Sequence, residues 1–151
     1  MALELKRDSF LAIVAVAWAD GRMSRDEAAG LSRAAKACGL GDDDVAAIEK
    51  AAKDGGVTLE GFDATLLSGW ERALTYAIAA WLARLDGVVD ATERESLKQL
   101  GKVLDLPPHK LVSAGAAAFD VACLPGGHRP EKYDFAELEK RLREKLPSLA
   151  V

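Results

Sequence analysis

The chain is predicted to be all-α: about seven to eight helices, with a three-helix unit that occurs twice and packs about a pseudo-twofold, followed by a C-terminal amphipathic helix. Three observations lead there. Apolar residues recur at three- and four-residue spacing between breaks that carry Gly or Pro, and no stretch shows the period of two that a half-buried strand needs. Half of the residues are hydrophobic, 6% are aromatic and 29% are charged, a balance that suits closely packed amphipathic helices. The stretch Asp20 to Leu40 also returns at Asp86 to Leu106, keeping the Asp-Gly pair, a Glu, Leu31/Leu97, Lys36/Lys102 and Leu40/Leu106 at a constant offset of 66 residues. Self-similarity at one fixed offset across a helical unit indicates internal duplication.

A length of 151 residues suits one domain, large enough to bury about two thirds of its unfolded-chain surface without a disulfide or metal to hold it together. Within it, repeat one covers about 3–54, a linker 55–69, repeat two 70–122, and a C-terminal loop and helix 123–151. The net charge of −4 and pI near 5.2 argue against a nucleic-acid partner, which needs a basic face. Cys38 and Cys123 lie in apolar helical pattern and read as small core residues of a reducing compartment. Lys6, Arg7 and the apolar run Phe10 to Ala17 imitate a secretory leader, but Glu4 and Asp8 spoil its basic region, and cleavage would delete the first helix of a unit whose second copy is internal. The run is too short to span a bilayer. A cytoplasmic protein without a transmembrane segment is expected.

The first helix, about Leu3 to Ala19, carries Phe10, Val14, Ala17 and Trp18 on one stripe that Leu11 and Ile13 broaden, so it should be central. The second places Ala28, Leu31, Ala35 and Cys38 at helical spacing and stops at Gly39-Leu40-Gly41. Asp42 and Asp43 are expected to cap the third, with Val45, Ile48 and Ala52 inward and Gly55-Gly56 ending it. In the linker, Thr58 should cap a short helical piece holding Phe62, Leu66 and Leu67. Ser68 and Glu71 form a capping box that opens a long helix to Leu85, in which Leu74, Ile78, Trp81, Leu82 and Leu85 mirror the first helix. A helix from Ala91 to Leu104 follows, with Leu97, Leu100 and Leu104 inward. Pro107 and Pro108 then start another, whose core face is read as Leu111, Ala114 and Phe119. The last helix, about Asp134 to Leu146, aligns Phe135, Leu138, Leu142 and Leu146. His109 and His128 have no carboxylate or Cys at ligand spacing and read as exposed residues. No nucleophile elbow, Walker loop, dinucleotide fingerprint or zinc signature is present, so no enzyme is expected.

The repeated motif has two readings. In the first, the Gly after Asp20 or Asp86 closes a helix end, and Ser24 with Glu27, or Asp90 with Glu93, forms a capping box at the next helix start. Such a cap contributes about 1 kcal/mol. It leaves Asp20 and Asp86 unexplained, because an acid beside a helix C-terminus faces the negative end of the dipole. In the second, Asp-Gly followed by Glu seven residues after the Asp is the later half of a calcium-binding EF loop. The earlier half is missing, since its ligand positions fall on Val16 and Trp18, and on Leu82 and Arg84. The copies would then act together. Two carboxylates about 6 Å apart repel by about 2 to 3 kcal/mol at an effective dielectric near 20, which a hard cation relieves.

The duplicated apolar helix with Asp20-Gly21 through Glu27, and with Asp86-Gly87 through Glu93, resembles the TerB-like (tellurite resistance protein B) family, also found as the N-terminal domain of a membrane-bound DnaJ-type co-chaperone. The resemblance covers nearly the whole chain. It implies two pseudo-symmetric three-helix units, a role in tellurite and chemical stress resistance, and a divalent metal, Ca²⁺ or Mg²⁺, on the paired acids. Carried over, the metal residues are Asp20 and Glu27 with Asp86 and Glu93, joined by Asp90 in the second loop. Ser24 stands where the second loop has Asp90, and Arg22 and Arg25 flank the first, so binding is expected to be weak. A partner protein at the inner membrane surface fits the co-chaperone likeness. The alternative is a helical interaction scaffold whose acids are only caps.

Overall fold

A computed structural model of the chain describes residues 5–18, 23–60, 62–85, 91–127 and 129–147, with the side chain of residue 131 left aside. Seven α-helices account for most of it: α1 (Arg7–Ala17), α2 (Arg25–Ala37), α3 (Asp42–Asp54), α4 (Gly69–Ala83), α5 (Ala91–Val103), α6 (Pro108–Ala122) and α7 (Phe135–Lys145). Short 3-10 turns sit at Ala64–Leu66 and Pro130–Lys132. Among the described residues there is no strand.

The two apolar helices are the centre. Along α4, Ala73, Leu74, Thr75 and every residue from Ala77 to Ala83 are buried. Along α1, only Leu11 and Ala15 escape full burial between Ser9 and Ala17. A helix that is apolar nearly all round has to be enclosed by others, and here α1 packs on α4 while each also receives its own flanking helices, α3 on α1 and α6 on α4. The crossed pairs α1 with α5 and α2 with α4 are both present. Exchanging the first three helices with α4, α5 and α6 maps these pairs onto one another, with one exception: α2 packs on α3, whereas α5 and α6 make little direct contact. Leu74, Ile78, Trp81 and Leu82 are each at most 1% exposed. Truncating any buried side chain of this size costs about 2 to 5 kcal/mol.

Helix boundaries follow the same 66-residue offset. It carries both ends of α2 onto both ends of α5, the end of α1 onto the end of α4, and the start of α3 onto the start of α6. After α2, Gly39 takes φ 82°, and after α5 the matching Asp105 takes φ 55°. In each case the next amide reaches back to close the helix, Leu40 N to Ala35 O and Leu106 N to Gly101 O, so the orphan carbonyls of the last turn are satisfied in the same way. At that position Gly is unstrained and Asp is not.

Local readings needed correction at five places. Gly41, not Asp42 or Asp43, is the N-cap of α3, and the three acids Asp42, Asp43 and Asp44 occupy its first turn, where the dipole favours them without a cap bond. Asp63, not Thr58, caps the linker turn, accepting from Thr65 N at 3.0 Å and from the Thr65 hydroxyl at 2.6 Å. Leu5 and Lys6 precede α1 rather than lying in it, with Lys6 as its extended N-cap. Phe119 is 47% exposed, because the core face of α6 is Ala114, Ala117, Ala118 and Val121, small residues that let α6 approach α4 closely. Cys123 is exposed beyond the end of α6, whereas Cys38 is buried, and burial pushes the Cys38 thiol up to about 12.

The C-terminal segment binds the two halves together. Tyr133 is fully buried, stacked on Trp81 with ring centroids 4.0 Å apart, and its hydroxyl donates to Ala118 O. Phe135 meets both rings edge-on. From α2, Arg33 donates to Pro130 O at 2.9 Å and to Tyr133 O at 2.6 Å and lies over the Phe135 ring. Asp134 caps α7, whose Leu138 and Leu142 are fully buried.

Candidate acidic site at the helix starts

Glu27 and Glu93 occupy the same place in their helices, the third residue of α2 and of α5. They are 6% and 5% exposed. Carboxylates that deep are uncommon in a domain of this size and are compensated by hydrogen bonds, opposite charge or a cation. Part of the compensation at Glu27 is local. Ser24 N donates to Glu27 Oε1 at 3.0 Å, and Glu27 N donates to Ser24 Oγ at 3.0 Å, which is the expected capping box. An equal box stands at Ser68 and Glu71, both bonds 3.1 Å, but Glu71 remains partly exposed. The box therefore does not itself demand burial; the packing around α2 imposes it on Glu27.

That packing has a direction. One turn after Glu27, Gly30 lies so close to the end of α4 that a Cβ there would stand 2.8 Å from Leu82 Cδ2, 3.0 Å from the Trp81 ring and 3.1 Å from Leu85 Cδ1. Residues three apart share a helix face. Glu27 thus lies on the face of α2 that meets the end of α4, and Leu85 is the residue directly before Asp86. On the exchanged side, α5 packs on α1, whose end leads towards Asp20. Asp20, Asp86 and Asp90, and with them Gly21, Arg22 and Gly87, lie outside the described residues, as does His128. Of the five acids proposed from sequence, the structure thus describes Glu27 and Glu93. Among the described residues no group of three or more His, Cys, Asp or Glu is placed to hold a metal. His109 is exposed at the start of α6, as expected, and Arg25 is exposed at the start of α2.

Sequence reasoning missed a second feature, a groove of about 900 Å³ between α4, α5 and α6. Exposed Val112 and Phe119 line it together with Arg84 and Lys98. A signal for it was present, because the 66-residue offset sets Val112 against Ala46 and Phe119 against Lys53. Large apolar residues on α6 stand where α3 has small or charged ones.

Comparison with known proteins gave no match to a protein-family model, to a curated protein or to a solved structure. Among the described residues no helix is long and apolar enough to cross a membrane.

Proposed function

We propose that the chain is a TerB-like, non-enzymatic stress-response module that works by binding, and that Asp20, Glu27, Asp86, Asp90 and Glu93 supply a weak shared site for Ca²⁺ or Mg²⁺. The observation that carries the reading is the burial of Glu27 on the face of α2 that meets the end of α4, one residue short of Asp86. A hard cation takes several oxygen ligands and relieves the repulsion of acids drawn from two motifs. Bound there, it would tie the start of α2 to the connection between α4 and α5. Such a site turns ion concentration into the stability of the interface between the two halves, which a partner protein at the inner membrane surface would read.

The test is calorimetric titration joined to thermal melts. An affinity on the order of 10⁻⁴ M, as in low-affinity calcium sites, stabilises the fold by about 2.7 kcal/mol at a hundredfold excess over Kd. For a chain of this length that raises Tm by about 5 to 10 °C. Asp86→Asn should remove most of the rise, and Ser24→Ala should leave it while lowering the starting Tm. No heat and no rise at millimolar ion would establish the second reading, a scaffold whose acids are caps. The Ser24 and Glu27 capping box favours that reading, since it already employs one carboxylate oxygen.

A further inference from the structure

We propose that the groove between α4, α5 and α6 docks an amphipathic helix of a partner protein whose apolar stripe is flanked by carboxylates. The inference is independent of any cation at the acidic motifs.

Along the outer face of α6, Val112, Gly115, Ala116 and Phe119 follow one another at the spacing of a single helical stripe. Val112 is 71% exposed, and with Phe119 it makes two of the three large apolar side chains that stand out among the described residues. Between them Gly115 and Ala116 leave the middle of the stripe low. A Cβ on Gly115 would find nothing nearer than the Tyr76 ring at 3.8 Å, so the floor has room. Two large residues bracketing two small ones suit a helix laid into the groove, whose backbone approaches over Gly115 while its apolar side chains meet Val112 and Phe119.

Charge supplies the second half. Arg84 and Lys98 stand along the groove, and no Asp or Glu is among the described residues that line it. In a protein of net charge −4 this is a local reversal of sign, and it selects a ligand with acids beside its apolar stripe while repelling a basic one. Arg84 is already laid over the Phe119 ring, 5.1 Å from its centroid. It is the guanidinium that lies over the ring, and because Arg84 is exposed the N–H edge of a group stacked by its face can still meet a carboxylate. Tyr76, in the floor, is held protonated by burial, an effect Arg84 partly opposes, so it adds no negative charge. The shape argues for a helix rather than a lipid surface, because the small residues lie at the bottom of a concavity that a flat bilayer does not enter.

The test uses the full chain and a fluorescent amphipathic peptide of about 18 residues, long enough to hold a helix on binding, with a leucine stripe flanked by glutamates. Its counterpart has lysines in place of the glutamates. The glutamate peptide should bind about tenfold tighter than the lysine one. Val112→Asp, Phe119→Asp and the pair Arg84→Glu with Lys98→Glu should each weaken it about tenfold, and Leu66→Asp, at the exposed apolar residue of the linker turn, should leave it unchanged. The substituted side chains are exposed, so these variants should fold, which circular dichroism melts verify. A second readout comes from Cys123, exposed on the groove's lining, while buried Cys38 stays unreactive. The glutamate peptide should slow thiol labelling at Cys123. Equal binding of the two peptides, or unchanged binding by the groove variants, overturns the proposal. So does binding to phosphatidylglycerol vesicles through Val112 and Phe119 without binding to the peptide, which would make the face a membrane contact. Asp86→Asn should not alter peptide binding, so a failed cation site and a failed groove are separable.

Discussion

Trp18 ends α1 and Arg84 ends α4, at matching positions and with nearly the same backbone: φ −88°, ψ 8° for the first, φ −100°, ψ −1° for the second. Their side chains do opposite things. Trp18 turns onto the end of α3, where a Cβ on Gly55 would lie 3.0 Å from its ring, and its Nε1 donates to Ala52 O at 2.9 Å. The corner between α1 and α3 is thereby sealed. Arg84 lies over Phe119 at the surface, and a groove opens beside α4 between α5 and α6, which make little direct contact. The outer faces agree with this difference. On α3, Ala46, Glu49, Lys50 and Lys53 are exposed and need no cover, whereas α6 carries Val112 and Phe119 there. Two three-helix segments with matching helix boundaries thus differ in the side chains at one helix end and one face, and in their packing, since α2 lies on α3 while α5 stands off α6.

Each prediction sets a residue of one half of the chain against one of the other, with stability read by urea unfolding. The largest effect is expected at the sealed corner. Trp18→Ala should lower stability by about 2 to 4 kcal/mol, towards the lower part of the range for aromatic truncation because the ring is half-buried. Arg84→Ala should cost under about 1 kcal/mol, the scale of an exposed cation–π contact. Equal losses would mean that the two corners are built alike. Next comes Gly30. A methyl group there meets Leu82, Trp81 and Leu85, and such overpacking costs about 1 to 3 kcal/mol, offset in part by about 1 kcal/mol of helix propensity. Gly30→Ala should therefore be destabilising, while Ser96→Ala, at the matching position of α5, should change stability by under about 0.5 kcal/mol. A stabilised Gly30→Ala would show that α2 does not press on α4.

Smaller effects belong to the helix ends. Ser24→Ala should cost about 1 kcal/mol, somewhat more than Ser68→Ala, because the box at Ser24 also orients a buried carboxylate and the one at Ser68 does not. The smallest effect has the opposite sign. Asp105→Gly relieves a left-handed residue that Gly39 occupies without strain, and should add about 0.5 to 1 kcal/mol. No gain would indicate that the Asp105 side chain makes a compensating bond.

Much of the fold was legible because the signals repeat one another. The stripes of α1 and α4, the boxes at Ser24 and Ser68, the break at Gly39 and the start at Pro108 each report a local preference that the packing retains. What failed did so where locality fails. Phe119 has the spacing of a core residue, but α6 rotates its alanine face inward because small residues pack closest to α4, and spacing alone cannot choose between two apolar faces. Asp42 has the composition of a cap, yet Gly41 supplies the extended backbone one residue earlier. Asp63 was overlooked because its cap serves a turn too short to show periodicity. At the candidate site, burial of Glu27 could not be read from the capping box, since Ser68 and Glu71 spell the same box at the surface. It follows from Gly30, whose meaning depends on what α4 brings against it.

The bonds from Arg33 to Pro130 and Tyr133 join residues 97 and 100 positions apart, which sets an order of assembly. While the chain is being made, α1, α2 and α3 emerge first, with the face of α1 that α4 will cover still bare and Arg33 still without its carbonyls. Repeat one is therefore expected to remain loosely organised until the last quarter of the chain is available. Closing a loop of that length costs only about 0.6 kcal/mol more than closing one half as long, so the delay is one of sequence separation rather than of stability. The stack of Trp81 on Tyr133 then acts as a latch thrown late. Pulse-labelled hydrogen exchange should find the amides of α2 protected in the same kinetic phase as those of α7, and earlier protection of α2 would show that the first repeat closes unaided.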